Sequence, residues 1–148
     1  MNRASVTVDG KVVGQIGRGL LILVGITRAD SDEDIAYLSE KCVNLRIFPD
    51  EGDERGFERS ALDVRGDILL VSQFTLYAHT RKGRRPSFTD AAPAEVAEPA
   101  FNRVIEAFRK SGLKIETGIF GAMMLVELEN TGPATIVLDS GDRKLPRD

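Results

Sequence analysis

The sequence has one cysteine, one histidine and no tryptophan among its 148 residues. The single thiol, Cys42, excludes an intrachain disulfide framework and a zinc site built from several thiolates, which is typical of a protein of the reducing cytosol. The longest apolar run near the start, Leu20 to Val24, is far shorter than the ~20 residues that span a bilayer, and no signal-peptide core follows Met1. We therefore expect a cytoplasmic protein with no membrane partner.

The composition favours one globular domain over the whole chain, residues 1–148. Hydrophobic residues make up 42% and charged residues 29% of the sequence, enough for a single core. Residues 141–148 form a polar tail that we expect to be loosely held. The net charge of -3 gives no general attraction to nucleic acid, so any such attraction must come from a local cluster of cations.

The first half of the chain predicts four strands and one helix. Residues 4–8 and 11–16 alternate like strands and flank Asp9-Gly10, which predicts a hairpin. Residues 20–26 and 68–74 are apolar at successive positions, which predicts two strands buried on both faces. Between them, acidic residues from Asp32 open a helix whose apolar positions run to Leu45.

The second half predicts a second helix, beginning near Pro93 and closed by Gly112, with a possible kink at Pro99. Three strand-like runs follow, at 114–120, 123–129 and 134–138. Together these elements predict an α+β domain with two main helices and a largely antiparallel sheet or open barrel.

Four cations stand close together between the second buried strand and the second helix. They are Arg81, Lys82, Arg84 and Arg85. A loop of this kind can contact successive phosphates of a nucleic acid, with Tyr77 and Phe88 as nearby stacking candidates, or it can be an ordinary solvated loop.

The polar end of the second buried strand suggests a hydrolase. A hydroxyl of Ser72 or Thr75 activated by His79 is one possibility. The sequence has no Gly-x-Ser-x-Gly elbow, however, so backbone amides that stabilise an oxyanion at the strand-to-loop junction are the better candidates. Nothing resembles a metal-ligand cluster or a phosphate-cradling glycine loop, and we expect neither metal nor cofactor.

Residues 130–135 read first as a turn between strands, because Gly132 and Pro133 are turn residues. A cis peptide bond before Pro133 is a further possibility. The neighbouring Met123 and Met124 favour core packing by their residue type.

Three motifs carry a resemblance to a known family. The segments Ser72–Ala78, Thr80–Phe88 and Asn130–Thr135 follow one another as in the D-aminoacyl-tRNA deacylases of the bacterial and eukaryotic type, which the chain resembles from Ala4 to Ser140. The resemblance implies a homodimer that hydrolyses the ester of D-aminoacyl-tRNA, and also glycyl-tRNA mischarged on tRNA-Ala. It implies aminoacylated tRNA as the partner, and we expect no binding of DNA.

The resemblance also assigns roles to residues. Gln73, Phe74 and Thr75 take catalytic roles through the backbone and the pocket, and Ser72, Met124 and Thr135 bind substrate. Gly132 and Pro133 form a cis motif that enters the pocket of the partner subunit and rejects L-amino acids. The cations Arg81, Lys82, Arg84 and Arg85 contact tRNA phosphates.

Selection of D- over L-aminoacyl groups by a rigid segment of backbone, here called the wall, is physically reasonable. An enzyme that accepts many D side chains cannot select by side chain, so it must select by the configuration at the alpha carbon. A constrained Gly-Pro wall would clash with an L substituent and let a D substituent point outward, and glycine would pass because it has no substituent.

The chain departs from the family at its start. The family begins with an additional strand upstream of Ala4, from which an arginine supports the Gly-Pro motif, and this sequence starts too late to contain it. Either the start codon lies upstream, or a sheet edge and a support for the motif are missing. We expect less sharp discrimination between D and L substrates without that strand. Two other functions stay open: a module that binds the tRNA 3′ end without turnover, and a small-ester hydrolase that uses His79.

Overall fold

The computed structural model describes residues 1–53, 55–131 and 134–147. Its strands are β1 (Arg3–Val8), β2 (Lys11–Ile16), β3 (Gly19–Val24), β4 (Asp67–Ser72), β5 (Ile115–Thr117) and β6 (Leu125–Glu129). Its helices are α1 (Asp32–Asn44), the single turn α2 (Ala61–Val64) and α3 (Ala94–Arg109), with 3-10 turns at Phe74–Tyr77 and Ser140–Lys144.

The strands form two separate sheets. The first is antiparallel in the order β2-β1-β6, and its hairpin turns at Asp9 and Gly10, which both have positive φ as a two-residue hairpin turn requires. The second is parallel in the order β3-β4-β5. The predicted α+β class and the two main helices are confirmed. The strands divide between an antiparallel and a parallel sheet, and among the described residues neither sheet closes into a barrel.

Strand β4 separates two layers of core. Residues Ile68 and Leu70 belong to the larger cluster with α1 and α3, whereas Leu69 and Val71 belong to the smaller cluster against the antiparallel sheet. All four side chains are fully buried. The continuous apolar run of β4 therefore reflects burial on both faces, as the sequence predicts. Strand β3 is the edge of its sheet and leaves Leu23 43% exposed, so the expected burial of both its faces is wrong.

Both main helices begin close to the expected residues, α1 at Asp32 with acidic residues in its first turn and α3 directly after Pro93. Ser31 and Asp34 form a capping box at the start of α1. Pro93 is the N-cap of α3, and Gly112 has a positive φ just beyond its end. Pro99 lies inside α3, in its second turn, and the helix continues through it to Arg109.

The C-terminal region differs from the sequence-based expectation in two ways. Residues 134–138 form no strand in the described structure, and Val137 is 93% exposed. An apolar pattern predicts a strand only where a neighbour supplies hydrogen bonds, and this segment has no such neighbour among the described residues. The expected loose tail instead contains the 3-10 turn, whose Arg143 contacts Glu33 at 3.2 Å and Asp34 at 3.3 Å.

Candidate active site

The polar end of β4 turns sharply into a 3-10 turn. The Gln73 N–H donates to the Val24 carbonyl at 2.8 Å, which continues the pairing with β3 for one residue. Phe74 to Tyr77 then form the turn, and the Gln73 side-chain amide donates to Thr75 Oγ1. The predicted strand thus ends at Ser72, and the segment Ser72–Thr75 lies at the carboxyl end of a central parallel strand, where ligand sites are common.

The backbone amides of Phe74 and Thr75 are the candidate oxyanion donors. They open the 3-10 turn, and the first N–H groups of a helix have no acceptor within it. In the parts of the chain that the structure describes, neither N–H has a hydrogen-bond acceptor. Both residues are exposed, so the turn that carries the two donors lies at the surface.

The 3-10 turn is joined to the cationic loop by an aromatic contact. The rings of Phe74 and Phe88 meet edge to face, with centroids 5.1 Å apart and planes at 76°. Phe88 follows the exposed cations Arg81, Lys82, Arg84 and Arg85 in sequence. The structure therefore brings the strand-end segment into contact with Phe88, next to the end of the cationic loop.

The single histidine does not form a hydrolase triad in this structure. His79 Nε2 hydrogen-bonds to the carboxylate of Asp90, and the Thr75 hydroxyl accepts from Gln73. Among the described residues, no hydrogen bond joins His79 to Ser72 or Thr75. The small-ester hydrolase that uses His79 therefore has no geometric support, and Asp90 is a partner that the sequence analysis missed.

Four acidic side chains lie near Tyr77, the last residue of the 3-10 turn. Burial raises the pKa of the Tyr77 hydroxyl, and the negative charges of Asp30, Asp139, Asp34 and Asp90 raise it further. Burial also raises the pKa of Asp30, although the Thr27 N–H, which donates to it at 2.8 Å, acts in the opposite direction. Tyr77 is therefore a neutral hydroxyl at physiological pH and not an anionic base.

Other predicted residues lie elsewhere. Met124 is partly buried against the smaller core cluster, Met123 is 93% exposed rather than buried, and Thr135 is exposed. Gly132 and Pro133 lie outside the described residues, so the cis motif stays a prediction. The substrate-binding and catalytic roles of all these side chains, and of Ser72 to Thr75, also stay predictions.

A surface groove of about 650 Å³ lies beside the flanks of the Gly-Pro motif and not beside the end of β4. Thr131 and Ala134 line it together with Arg18 and Phe48, whose side chains make a cation–π contact at 5.5 Å. None of the residues from Ser72 to Thr75 lines this groove. Within one chain, the flanks of the Gly-Pro motif and the segment Ser72–Thr75 therefore do not share this groove.

Gly25 is a second residue that the sequence analysis missed. A Cβ at this position would lie 3.1 Å from Leu76 Cβ and 3.2 Å from the Tyr77 ring. The end of β3 therefore approaches the 3-10 turn so closely that only glycine fits without a shift. No local sequence signal shows this, because the turn is distant along the chain.

The described residues contain no group of three or more His, Cys, Asp or Glu arranged to hold a metal ion. They also contain no helix with the length and apolar character needed to cross a membrane.

Comparison with known proteins identifies the family. A family model described as D-Tyr-tRNA(Tyr) deacylase matches residues 1–139. The D-aminoacyl-tRNA deacylase of Roseiflexus castenholzii is 53% identical over 148 residues, which cover 100% of this chain and 93% of the relative. That of Bacillus velezensis is 54% identical over 140 residues, covering 95% of this chain and 94% of the relative.

Two solved structures have the same fold. A c-Myc DNA unwinding element binding protein superposes with a TM-score of 0.86 at 42% identity, over 93% of each chain. A probable eukaryotic D-amino acid tRNA deacylase superposes with a TM-score of 0.77 at 20% identity, over 90% of this chain and 91% of the other. The chain belongs to the D-Tyr-tRNA(Tyr) deacylase family. It is accordingly a hydrolase acting on aminoacyl-tRNA.

Proposed function

We propose that this protein hydrolyses the ester of D-aminoacyl-tRNA in the cytoplasm and releases the free amino acid and tRNA. The observation that carries the proposal is the contact between the 3-10 turn and the end of the cationic loop, beside the end of β4. There, the acceptor-free amides of Phe74 and Thr75 adjoin Phe88, which stands at the base of a loop with four cations. One surface thus offers oxyanion donors and phosphate contacts, which an ester at the end of an RNA strand requires.

The chemistry needs no protein nucleophile. Water adds to the ester carbonyl, the bond to the ribose oxygen breaks, and that oxygen takes up the proton released by the water. The family is understood to use the terminal ribose 2′-hydroxyl with backbone donors such as the Phe74 amide. In support, the Thr75 hydroxyl accepts from Gln73 and the His79 imidazole is bonded to Asp90, so neither is arranged as a nucleophile and base. The N–H groups stabilise the negative charge that develops on the carbonyl oxygen.

The proposal includes rejection of L-aminoacyl-tRNA by Gly132 and Pro133 of a second subunit. Two observations support it. The groove beside the motif and the end of β4 are separate in one chain, so a cross-subunit site would unite them. The motif also follows β6, an edge strand on which Leu125 and Leu128 are exposed and available to a second copy.

A glycyl group has no side chain to clash with the wall, which makes glycyl-tRNA mischarged on tRNA-Ala a further substrate.

The proposal is tested by deacylation rates on matched D- and L-aminoacyl-tRNA, with glycyl-tRNA-Ala as a third substrate. We expect hydrolysis of the D and glycyl esters and little of the L ester. The His79→Ala variant should keep its kcat, whereas a catalytic imidazole would lose ~10²-fold or more. Binding of tRNA without turnover by the wild type would instead favour a binding module.

A further inference from the structure

The side chains of the single histidine and of Asp90 are in contact beside the two ends of the cationic loop. We define the basic loop as residues 80–86. Its stem is closed by two backbone hydrogen bonds, from the His79 N–H to the Ser87 carbonyl at 2.7 Å and from the Ser87 N–H to the His79 carbonyl at 2.9 Å. The His79 side chain adds a contact from Nε2 to the carboxylate of Asp90, three residues beyond the stem.

The basic loop has few other attachments. Residues 81–85 are exposed, and within the described structure their side chains make no hydrogen bond or ion pair. Beyond the stem, the chain is anchored by the Ala92 N–H, which donates to the Ile26 carbonyl at 2.8 Å. The orientation of the four cations relative to the domain therefore depends on the stem, on the contact between His79 and Asp90, and on the packing of Phe88 against Phe74.

We propose that His79 is a positioning residue for tRNA binding, which through Asp90 clamps the stem of the basic loop and orients its cations toward the tRNA backbone. The proposal rests on the proposed function, because it takes tRNA as the ligand of the loop. His79 does not act on the ester; it limits the orientations of the loop before tRNA arrives, so that less conformational freedom is lost on binding.

Charge alone would give the opposite result, which makes the proposal testable. Asp90 is an anion close to a cationic loop that binds a polyanion, so its removal should strengthen tRNA binding if only electrostatic attraction matters. If Asp90 instead restrains the basic loop through His79, its removal should weaken tRNA binding. The sign of the change distinguishes these two roles.

The experiment compares His79→Ala, Asp90→Ala, the double variant and His79→Gln with the wild type. Glutamine places an amide donor close to the position of Nε2 and carries no charge. Glu40→Gln, which removes an exposed carboxylate on α1, is the control for net charge. The measurements are KM and kcat on D-aminoacyl-tRNA, Kd for uncharged tRNA, and amide hydrogen exchange of residues 80–87 in the absence of tRNA.

We expect both alanine variants to raise KM and Kd by about two- to five-fold, the effect that one exposed polar contact can support, with kcat unchanged. The double variant should equal the single variants because both remove the same contact. His79→Gln should restore binding, and exchange in the loop should be faster in the alanine variants only.

The proposal would be wrong if Asp90→Ala bound tRNA more tightly than the wild type. It would also be wrong if His79→Ala changed neither tRNA binding nor hydrogen exchange in the loop. If the wild type failed to deacylate D-aminoacyl-tRNA, the proposed function would be wrong. Hydrogen exchange in the free protein would still decide whether His79 and Asp90 restrain the loop, so the two failures are distinguishable.

Discussion

At the scale of single residues, the candidate site depends on Gly25, a position without a side chain. Gly25 allows the end of β3 to lie against the 3-10 turn that carries Phe74 and Thr75, since a methyl group there would come within 3.1 Å of Leu76 Cβ. The position of the two candidate oxyanion donors, the Phe74 and Thr75 amides, thus depends on a glycine that directly follows β3.

We predict that Gly25→Ala lowers kcat/KM several-fold and destabilises the fold by about 1 kcal/mol, because the turn must shift to admit the methyl group. The measurements are deacylation kinetics and denaturant unfolding. Gly17→Ala is the matched control, since its Cβ would meet only Asp67 Oδ2 at 3.8 Å. Equal kcat/KM for Gly25→Ala and the wild type would show that the turn tolerates the shift or that its amides are not the oxyanion donors.

At the scale of elements, the start of α1 also anchors the C-terminal 3-10 turn. Asp34 accepts from the Ser31 N–H at 2.8 Å and from Arg143 Nε at 3.3 Å. The Ser31 N–H is the main cause that lowers the Asp34 pKa to about 2; burial opposes it, and the hydroxyls of Ser140 and Ser31 and the Arg143 guanidinium add to it. One carboxylate therefore caps a helix and holds a distant segment.

This pKa predicts a specific acid sensitivity. Because the folded-state pKa of Asp34 lies below its ordinary value of 3.8, ionised Asp34 stabilises the fold above about pH 4 and loses this contribution as the pH falls toward 2. The unfolding free energy of Asp34→Asn should therefore fall less steeply between pH 4 and pH 2 than that of the wild type. Denaturant unfolding at several pH values measures this, with Glu40→Gln as the control. Parallel curves for wild type and Asp34→Asn would contradict it.

The basic loop is the second element for which we predict a role. Replacing Arg84 and Arg85 by alanine should weaken tRNA binding and reduce the slope of log K against log salt by about 1 to 2, because up to two phosphate contacts are lost. The paired control is Lys11→Ala with Lys114→Ala, two exposed cations outside the loop. An unchanged slope would mean that the loop is solvated surface, whereas unfolding should be unaffected in either case.

At the scale of the whole molecule, the proposed site needs two copies of the chain. The exposed apolar residues of β6 and of the following segment are suited to a second subunit, and they include Leu125, Leu128, Ile136 and Val137. We predict a homodimer in sedimentation velocity, with activity confined to the dimer. A fully active monomer would contradict the cross-subunit wall.

Complementation tests the wall directly. Phe74→Pro removes an oxyanion donor, and Gly132→Ala crowds the motif, so each homodimer should be slow on D-aminoacyl-tRNA. When the two variants are mixed and allowed to exchange subunits, half of the dimers unite one intact pocket with one intact motif. We expect recovery of about a quarter of the wild-type rate. No recovery despite verified exchange would place pocket and motif in the same subunit.

The sequence by itself determined the parts of this protein that depend on local or periodic signals. The Asp9-Gly10 hairpin, the buried run of β4 and the bounds of both main helices follow from turn chemistry, continuous apolar residues and capping residues, all read within one segment. Its three motifs also indicated the family that the comparisons show.

Only the tertiary structure decided which segments meet. It divided the strands into a parallel and an antiparallel sheet, left residues 134–138 without a strand, and anchored the 3-10 turn at 140–144 on α1 through Arg143. It also placed Asp90 against His79 and Gly25 against Leu76. Hydrogen-bond partners, ion pairs and close approaches between segments depend on distances in space, and the residue pattern of one segment contains no information about its neighbour across the fold.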